Sequence, residues 1–551
     1  MEKALSAYSM EHMLAYFDDI RTNGMPDHGF PRLTANIGIL IAQGRRHELL
    51  PTFLEFMEFC CKTIPTVKAA NDFSVREIVC CLLEVERAGI VDKAVTERWR
   101  GYLATIEPTA CYTKFAKTPT DQVRNWALFS GVSEYFRQEA GLCSSTDFIE
   151  LQVAQQLQFC DENGMYRDNP DVPNHNPIVY DLVPRGLFAM LLNRGYRGKS
   201  YEIIDSILKK AGLMTLDMQS TTGEIAFGGR SNQFIHNEAW IAITMEFEAK
   251  RYTKAGDLAM AGRCKATVAR ALANAELWLN KQPIRHIKNR YPTETGYGCE
   301  GYAYFDKYMI TAASFLYAAY QICDDTIPVG EIAENITTVC QTSPHFHKVV
   351  LKSGEYCAEL DWDADPHYDA SGLGRIHRAG APSAICMSCP CPAEPGFQMD
   401  IPPMALSLCS AVKENGTWCL GAAKGSYQVT GTSRDANSAS ATLRCRFSGG
   451  KTVEEHYQVR NSSVAAILQG NGEIGFALPA FSFDGEKTPE IACNGNKLTV
   501  TYEGWVCCYT TDGTIIDLNQ TAANRNGHYR AFLAHGQDTL HVDIQIAKCS
   551  D

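Results

Sequence analysis

The sequence predicts an N-terminal (α/α) toroid of helical hairpins followed by a C-terminal antiparallel β-sandwich. Three observations predict it. Up to about residue 340, apolar residues recur at helical spacing in segments of about 12–20 residues. Beyond that point the pattern alternates at period two and grows rich in Thr, Val, Ser and Gly. The chain has 551 residues, 45% of them hydrophobic and 21% charged, which supports large, well-cored domains and is too apolar for disorder. We place the domains at 1–335, the catalytic toroid, and 336–551, the sandwich. The boundary falls in the turn-rich stretch 324–343, around DDTIPVG.

The helical segments follow one another in order. They are TANIGILIAQG, PTFLEFMEFCCKTI, VREIVCCLLEVERAG, VRNWALFSGVSEYFRQEAG, STDFIELQVAQQLQFC, RGLFAMLLNRGY, EAWIAITMEFEAKRY, MAGRCKATVARALANAELWLNK and KYMITAASFLYAAYQIC. Loops rich in Gly, Pro, Asn and Asp separate them, as stacked hairpins around an axis require. No unit repeats closely enough for a TPR, HEAT or ankyrin array. The later segments GTWCLGAAKGSYQVTGT, SASATLRCRFSGGKTVEEHYQV, NKLTVTYEGWVCCYTTDGTIIDL and DTLHVDIQIAK read as strands joined by hairpin turns. Gly470, Gly472 and Gly475 spell GxGxxG, but FALPAFSFDG follows and is no helix, so this predicts a β-turn and no dinucleotide site.

Composition narrows the partners. Lys and Arg number 51 against 63 Asp and Glu, a net charge of −12, which argues against nucleic acid or an anionic membrane. The apolar stretch Ile310–Cys323 is too short to span a bilayer. The N-terminus lacks a basic start, an unbroken apolar run and a small-residue cleavage site, which predicts a cytoplasmic protein. Its 22 cysteines then read as reduced packing residues, several as adjacent pairs in apolar runs. Cys386, Cys389 and Cys391 lack the second CxxC or His pair of a zinc site, so no metal and no cofactor is expected. A homo-oligomer is left open.

Polar residues crowd four loops that lead into helices. Thr221–Trp240 carries Arg230, Asn232, Gln233, His236, Asn237 and Glu238 at a helix start, with Gly228 and Gly229 freeing the backbone. Glu238 shares a helical face with Phe234, Ile241 and Met245, and a carboxylate on an inner face wants a reason. Lys288–Tyr308 carries Tyr297, Glu300, Tyr302, Tyr304 and Asp306; a helix begun near Glu300 would align Glu300, Tyr304 and Tyr308. Tyrosines suit the apolar faces and hydroxyls of a sugar, although an aromatic helix seam would use them too. Asp161–Arg185 contributes Tyr180 and Arg185, and TDQVRNWALFSG contributes Asn125 and Trp126. In the second domain His367 and Arg375 stand in a histidine-rich stretch with two readings, ordinary surface or a loop reaching across the mouth. In a ring of hairpins such loops converge on one mouth, and that convergence is the argument for a site.

The toroid-then-sandwich plan resembles the heparinase II/III-like lyases and related enzymes acting on uronic-acid sugars. The stretches GGRSNQFIHNEAW, RYPTETGYGCEGYAYFDKYM and HYDASGLGRIHR resemble glycoside hydrolase family 154. That resemblance implies β-glucuronidase activity on a glucuronide or uronic-acid-containing oligosaccharide. Two-carboxylate hydrolysis would then use Glu238 and Glu300, with Asp306 in reserve, while Arg230 and Arg185 bind the uronate. The alternative is β-elimination, with Asn232, Gln233 or His236 neutralising the carboxylate and Tyr297, Tyr302, Tyr304 or His236 moving protons. A non-catalytic carbohydrate-binding toroid is the third reading. The paired carboxylates favour hydrolysis.

Overall fold

In the computed structural model, which describes residues 1–172, 175–330 and 336–549, six helices form an inner wall. They are α1 (Gly29–Ala42), α2 (Val75–Ala88), α3 (Asn125–Glu139), α4 (Ile178–Asn193), α5 (His236–Lys254) and α6 (Phe305–Ile322). Each packs on the next and α6 packs back on α1, so the ring closes. Burial matches that role: α1 is buried without a break from Gly29 to Ile41, as a helix with neighbours on every side must be. The outer helix Tyr201–Met218 instead buries a stripe at Ile204, Leu208, Ala211 and Thr215. Spacings of three and four put that stripe on one face.

Two sheets follow. A small antiparallel sheet runs in the order β1 (Thr338–Gln341), β2 (Lys348–Ser353), β3 (Tyr356–Asp361) and β4 (Gly372–Arg378). A second sheet has eleven strands, with the long strands Val464–Phe483 and Gly527–Lys548 paired along their length. The small sheet is covered on both faces, and period-two alternation gives those faces different characters. Val349, Leu351, Ala358, Leu360, Leu373 and Ile376 join the core shared with the large sheet, while Val350 and Cys357 join the toroid core. On the toroid side lie Lys348, Glu359, Asp361, Arg375 and His377. Register sets Lys348 opposite Asp361 and Glu359 opposite Arg375, so the charges on this face meet as cross-strand pairs.

Several sequence expectations change here. The helix expected from Glu300 begins at Phe305, with Tyr304 as its cap, so Glu300, Tyr304 and Tyr308 form no stripe. The run before it carries Gly298 and Gly301 and stays irregular. Gly470, Gly472 and Gly475 lie within the strand Val464–Phe483, whose pairing shifts register between Gln469 and Glu473; they make a strand irregularity and not a turn between strands. Residue 335, the expected last residue of the toroid, lies outside the described residues. All 22 cysteines are free thiols, and Cys386, Cys389 and Cys391 are buried. Among the described residues no helix is long and apolar enough to cross a membrane.

The ring depends on close approach between α4 and α5. A Cβ added at Gly186 would lie 2.4 Å from the Trp240 ring, and Trp240 is fully buried and cannot swing away. Gly186→Ala should therefore destabilise the protein by about 1–3 kcal/mol, read as a lower urea midpoint. An unchanged midpoint would mean that the helices separate at no cost.

Candidate active site

The site is built on the segment between the helix Tyr201–Met218 and α5, which threads between toroid and small sheet. Carboxylates hold its backbone: Glu359 Oε2 accepts from the Phe227 amide at 3.1 Å, Asp369 Oδ2 from Gly229 at 2.7 Å and Glu300 Oε1 from Ser231 at 2.6 Å. Lys348 Nζ lies 3.8 Å from the Phe227 ring centre, and Arg375 Nη2 donates to the Ile225 carbonyl at 2.6 Å. Gly229 takes φ 75° where a Cβ would meet Pro177 at 2.8 Å. Ser231 and Gln233 adopt φ 59° and 67°. Non-glycine residues pay strain there, and such strain persists only where surrounding contacts over-determine the backbone.

That backbone sets the buried Ser231 side chain between two tyrosines. Its hydroxyl lies 2.8 Å from the Tyr302 hydroxyl and 3.2 Å from that of Tyr180. The Arg230 guanidinium stacks over Tyr180, 4.6 Å from the ring centre, and bonds Asp168. Asp168 also accepts from Asn125 Nδ2 at 2.7 Å. Arg230 keeps 34% of its side chain exposed, and its Nε has no acceptor. Tyr302 is 38% exposed. Burial of its hydroxyl, with Tyr180 and Glu300 nearby, raises its pKa well above the usual tyrosine range, against the pull of Arg230; it therefore carries its proton at rest. Trp126, beside Asn125, packs edge-on against Phe73 with Lys114 over its face.

Other expected residues lie elsewhere. Glu238 is 0% exposed and bonds Lys288, its Oε2 left without a partner. Burial pushes its carboxyl up to about 7, against the pull of Lys288. Glu300 is clamped by Arg525, at 2.6 and 3.1 Å. Asp306 pairs with His12 at 2.8 Å and Tyr304 bonds Asp27, both on the outer start of α6. Arg185 lies within α4, buried against Asp181 and the Ala211 carbonyl, so it is not a mouth residue. Tyr297 stacks on Tyr291 at 3.6 Å and donates to the Asn524 carbonyl. Arg375 bonds Glu359 within the seam.

Asn232 and Gln233 bond each other, and Asn526 donates to Gln233. Asn237 donates to the Ser231 carbonyl and leaves its own Oδ1 without a donor. His236 makes no hydrogen bond among the described residues; its ring packs near Phe234 and Tyr308, and burial holds its pKa down at about 3, so it is neutral. His367 is exposed and faces Asp365. Sequence reasoning missed Lys288, Arg525 and Ser231. The first two are ordinary cations whose partners sit far away in the chain, and no local pattern marks them. Two clefts of about 490 and 530 Å³ open elsewhere along the seam, and neither is lined by Arg230 or Tyr302.

Fold and site together describe an α/α toroid backed by antiparallel sheets, with a tyrosine and arginine mouth. The chain is similar in structure to a Streptomyces coelicolor A3 chondroitin AC lyase solved with chondroitin sulphate, at 12% identity over 97% of this chain and 76% of that one, TM-score 0.48. It is also similar to a heparinase III, at 10% identity over 93% and 78%, TM-score 0.45. A third is the heparan sulfate lyase HepC from Pedobacter heparinus, at 9% identity over 98% and 88%, TM-score 0.36. No protein-family model matches the sequence, and no curated protein matches it. At such identities the likeness concerns architecture alone.

The expectation of β-glucuronidase hydrolysis is therefore corrected. The matched structures are polysaccharide lyases, and nothing supports the narrower likeness to glycoside hydrolase family 154. The two carboxylates on which hydrolysis was to rest are each committed to a buried cation.

Two predictions follow from these ion pairs. A raised folded pKa means that Glu238 contributes its stability fully below its unfolded value and loses it as pH rises through about 7. Wild type should therefore lose stability relative to Glu238→Gln between about pH 5 and pH 8, measured by thermal unfolding; a flat difference would mean an ionised Glu238 throughout. Arg525→Ala strands Glu300 in a buried site and should cost about 3–5 kcal/mol. The double variant with Glu300→Gln should recover part of that loss in urea unfolding.

Proposed function

We propose that the chain cleaves a uronate-containing polysaccharide or oligosaccharide by β-elimination. The observation that carries this reading is the hydroxyl chain Tyr302–Ser231–Tyr180 beside a partly exposed Arg230 whose Nε lacks an acceptor. A guanidinium binds a carboxylate through two parallel N–H bonds, and neutralising the uronate carboxylate acidifies the proton on C5. A base takes that proton, its electron pair forms the C4–C5 double bond, and the C4–O bond breaks. The leaving oxygen needs a proton, and Tyr302, protonated at rest, holds one at the mouth. Asn125 supports Arg230 through Asp168. The matched lyases include one solved with chondroitin sulphate and one described as a heparan sulfate lyase, which makes sulfated uronate polymers the first substrates to try.

Elimination makes an unsaturated uronate that absorbs in the ultraviolet. Wild type should generate that absorbance from at least one member of a panel of chondroitin sulphate, heparan sulfate, xanthan and unsulfated uronate oligomers. Tyr302→Phe should lower kcat by about 10²–10⁴-fold with an unchanged thermal midpoint, and Arg230→Ala should raise KM. Saturated products without absorbance would sink the reading, and binding without turnover across the panel would favour a carbohydrate-binding protein.

A further inference from the structure

We propose that His175, Asp365 and His367 form a zinc-type divalent metal site that clasps the toroid to the small sheet at the edge of the mouth. One donor atom from each residue lies within 4.8 Å of the others. His175 Nδ1 is 3.1 Å from Asp365 Oδ2, and His367 Nδ1 is 3.1 Å from Asp365 Oδ1. Two imidazoles and a carboxylate are a donor set that suits zinc, with the remaining position open to water or a further carboxylate. Glu394 Oε2 stands 3.6 Å from His367 Nε2, on the far edge of the ring from Asp365, where it can accept from that nitrogen while Nδ1 faces the ion.

The donors are held in place by bonds that do not involve the metal. Asn169 Nδ2 donates to the His175 carbonyl at 2.8 Å, and Asn176 Oδ1 accepts from the Asn169 amide at 3.0 Å. Asp365 is 2% exposed, and its carbonyl accepts from the Tyr368 and Asp369 amides. The amides of Glu394 and Gly396 donate to the carbonyls of Pro366 and His367, which holds the backbone on either side of the histidine. Backbone pre-organisation of this kind lowers the entropy lost when ligands converge on an ion.

The clasp has a clear place in the architecture. His175 belongs to the toroid loop that carries Asp168, the partner of Arg230. Asp365 and His367 begin the loop that carries Asp369, the acceptor of the Gly229 amide. A bound ion would tie the two loops that hold Arg230 and the strained segment after it. The proposal stands apart from the elimination reading, since it needs neither substrate nor turnover.

The test uses the full untagged chain, stripped with a chelator, dialysed and titrated with zinc chloride by calorimetry, with cobalt absorption as a second readout. Wild type should bind about one zinc per chain and gain thermal stability on binding. His175→Ala and His367→Ala, each checked for a native circular dichroism spectrum, should weaken zinc binding by at least about tenfold. Absence of zinc binding by wild type would overturn the proposal. So would one zinc held unchanged by both variants, which would place the ion elsewhere, with Cys386, Cys389 and Cys391 the next residues to replace.

Discussion

The structure depends on a buried ionic seam between the toroid and the small sheet. Lys348, Glu359, Asp361 and Arg375 occupy the sheet face that meets the toroid, and all are buried. Charges removed from water are tolerated only when paired and fully hydrogen-bonded. Here they pair across strands, and Glu359 and Arg375 also bond the backbone of the segment after Met218, while His347 adds to the Lys348–Asp361 pair. Glu238 with Lys288 and Glu300 with Arg525 extend the same pattern on the toroid side. A shift of one residue in β3 would turn Glu359 and Asp361 into the apolar core, so charge on one face and Val349, Leu351 and Ile376 on the other fix the register.

The seam explains the mouth. A loop whose amides are held by Glu359, Asp369 and Glu300 cannot relax, and the left-handed backbone at Ser231 and Gln233 persists for that reason. The product is a serine hydroxyl set between two tyrosines with an arginine above one of them. Glu238 and Glu300, which look catalytic in the sequence, are thus parts of the support.

Much of this was legible in the sequence. The toroid of helical hairpins follows from apolar segments at period 3.6, and the sheets from period-two runs such as SASATLRCRF. The crowding of Arg230, His236 and Glu238 at a helix start marked the segment that threads the seam, and Glu238 does face inward. Where reading failed, the reason was local sequence without tertiary context. Tyr304 and Asp306 sit within six residues of Glu300, yet the irregular run before Phe305 sends them to different partners. Arg185 lies in a helix rather than in the loop before it, so its guanidinium points into the toroid wall.

The sequence by itself determined the two architectures and their order, because periodicity is a local property of a chain. Only the tertiary structure decided which charged residues support and which face solvent. Glu238 looks free until Lys288 is placed beside it, Glu300 until Arg525 arrives from the last strands, and Ser231 looks like a simple helix cap until its backbone is pinned. The physical reason is that a carboxylate's role is set by its partner and its exposure, and both are contributed by residues far away in the chain.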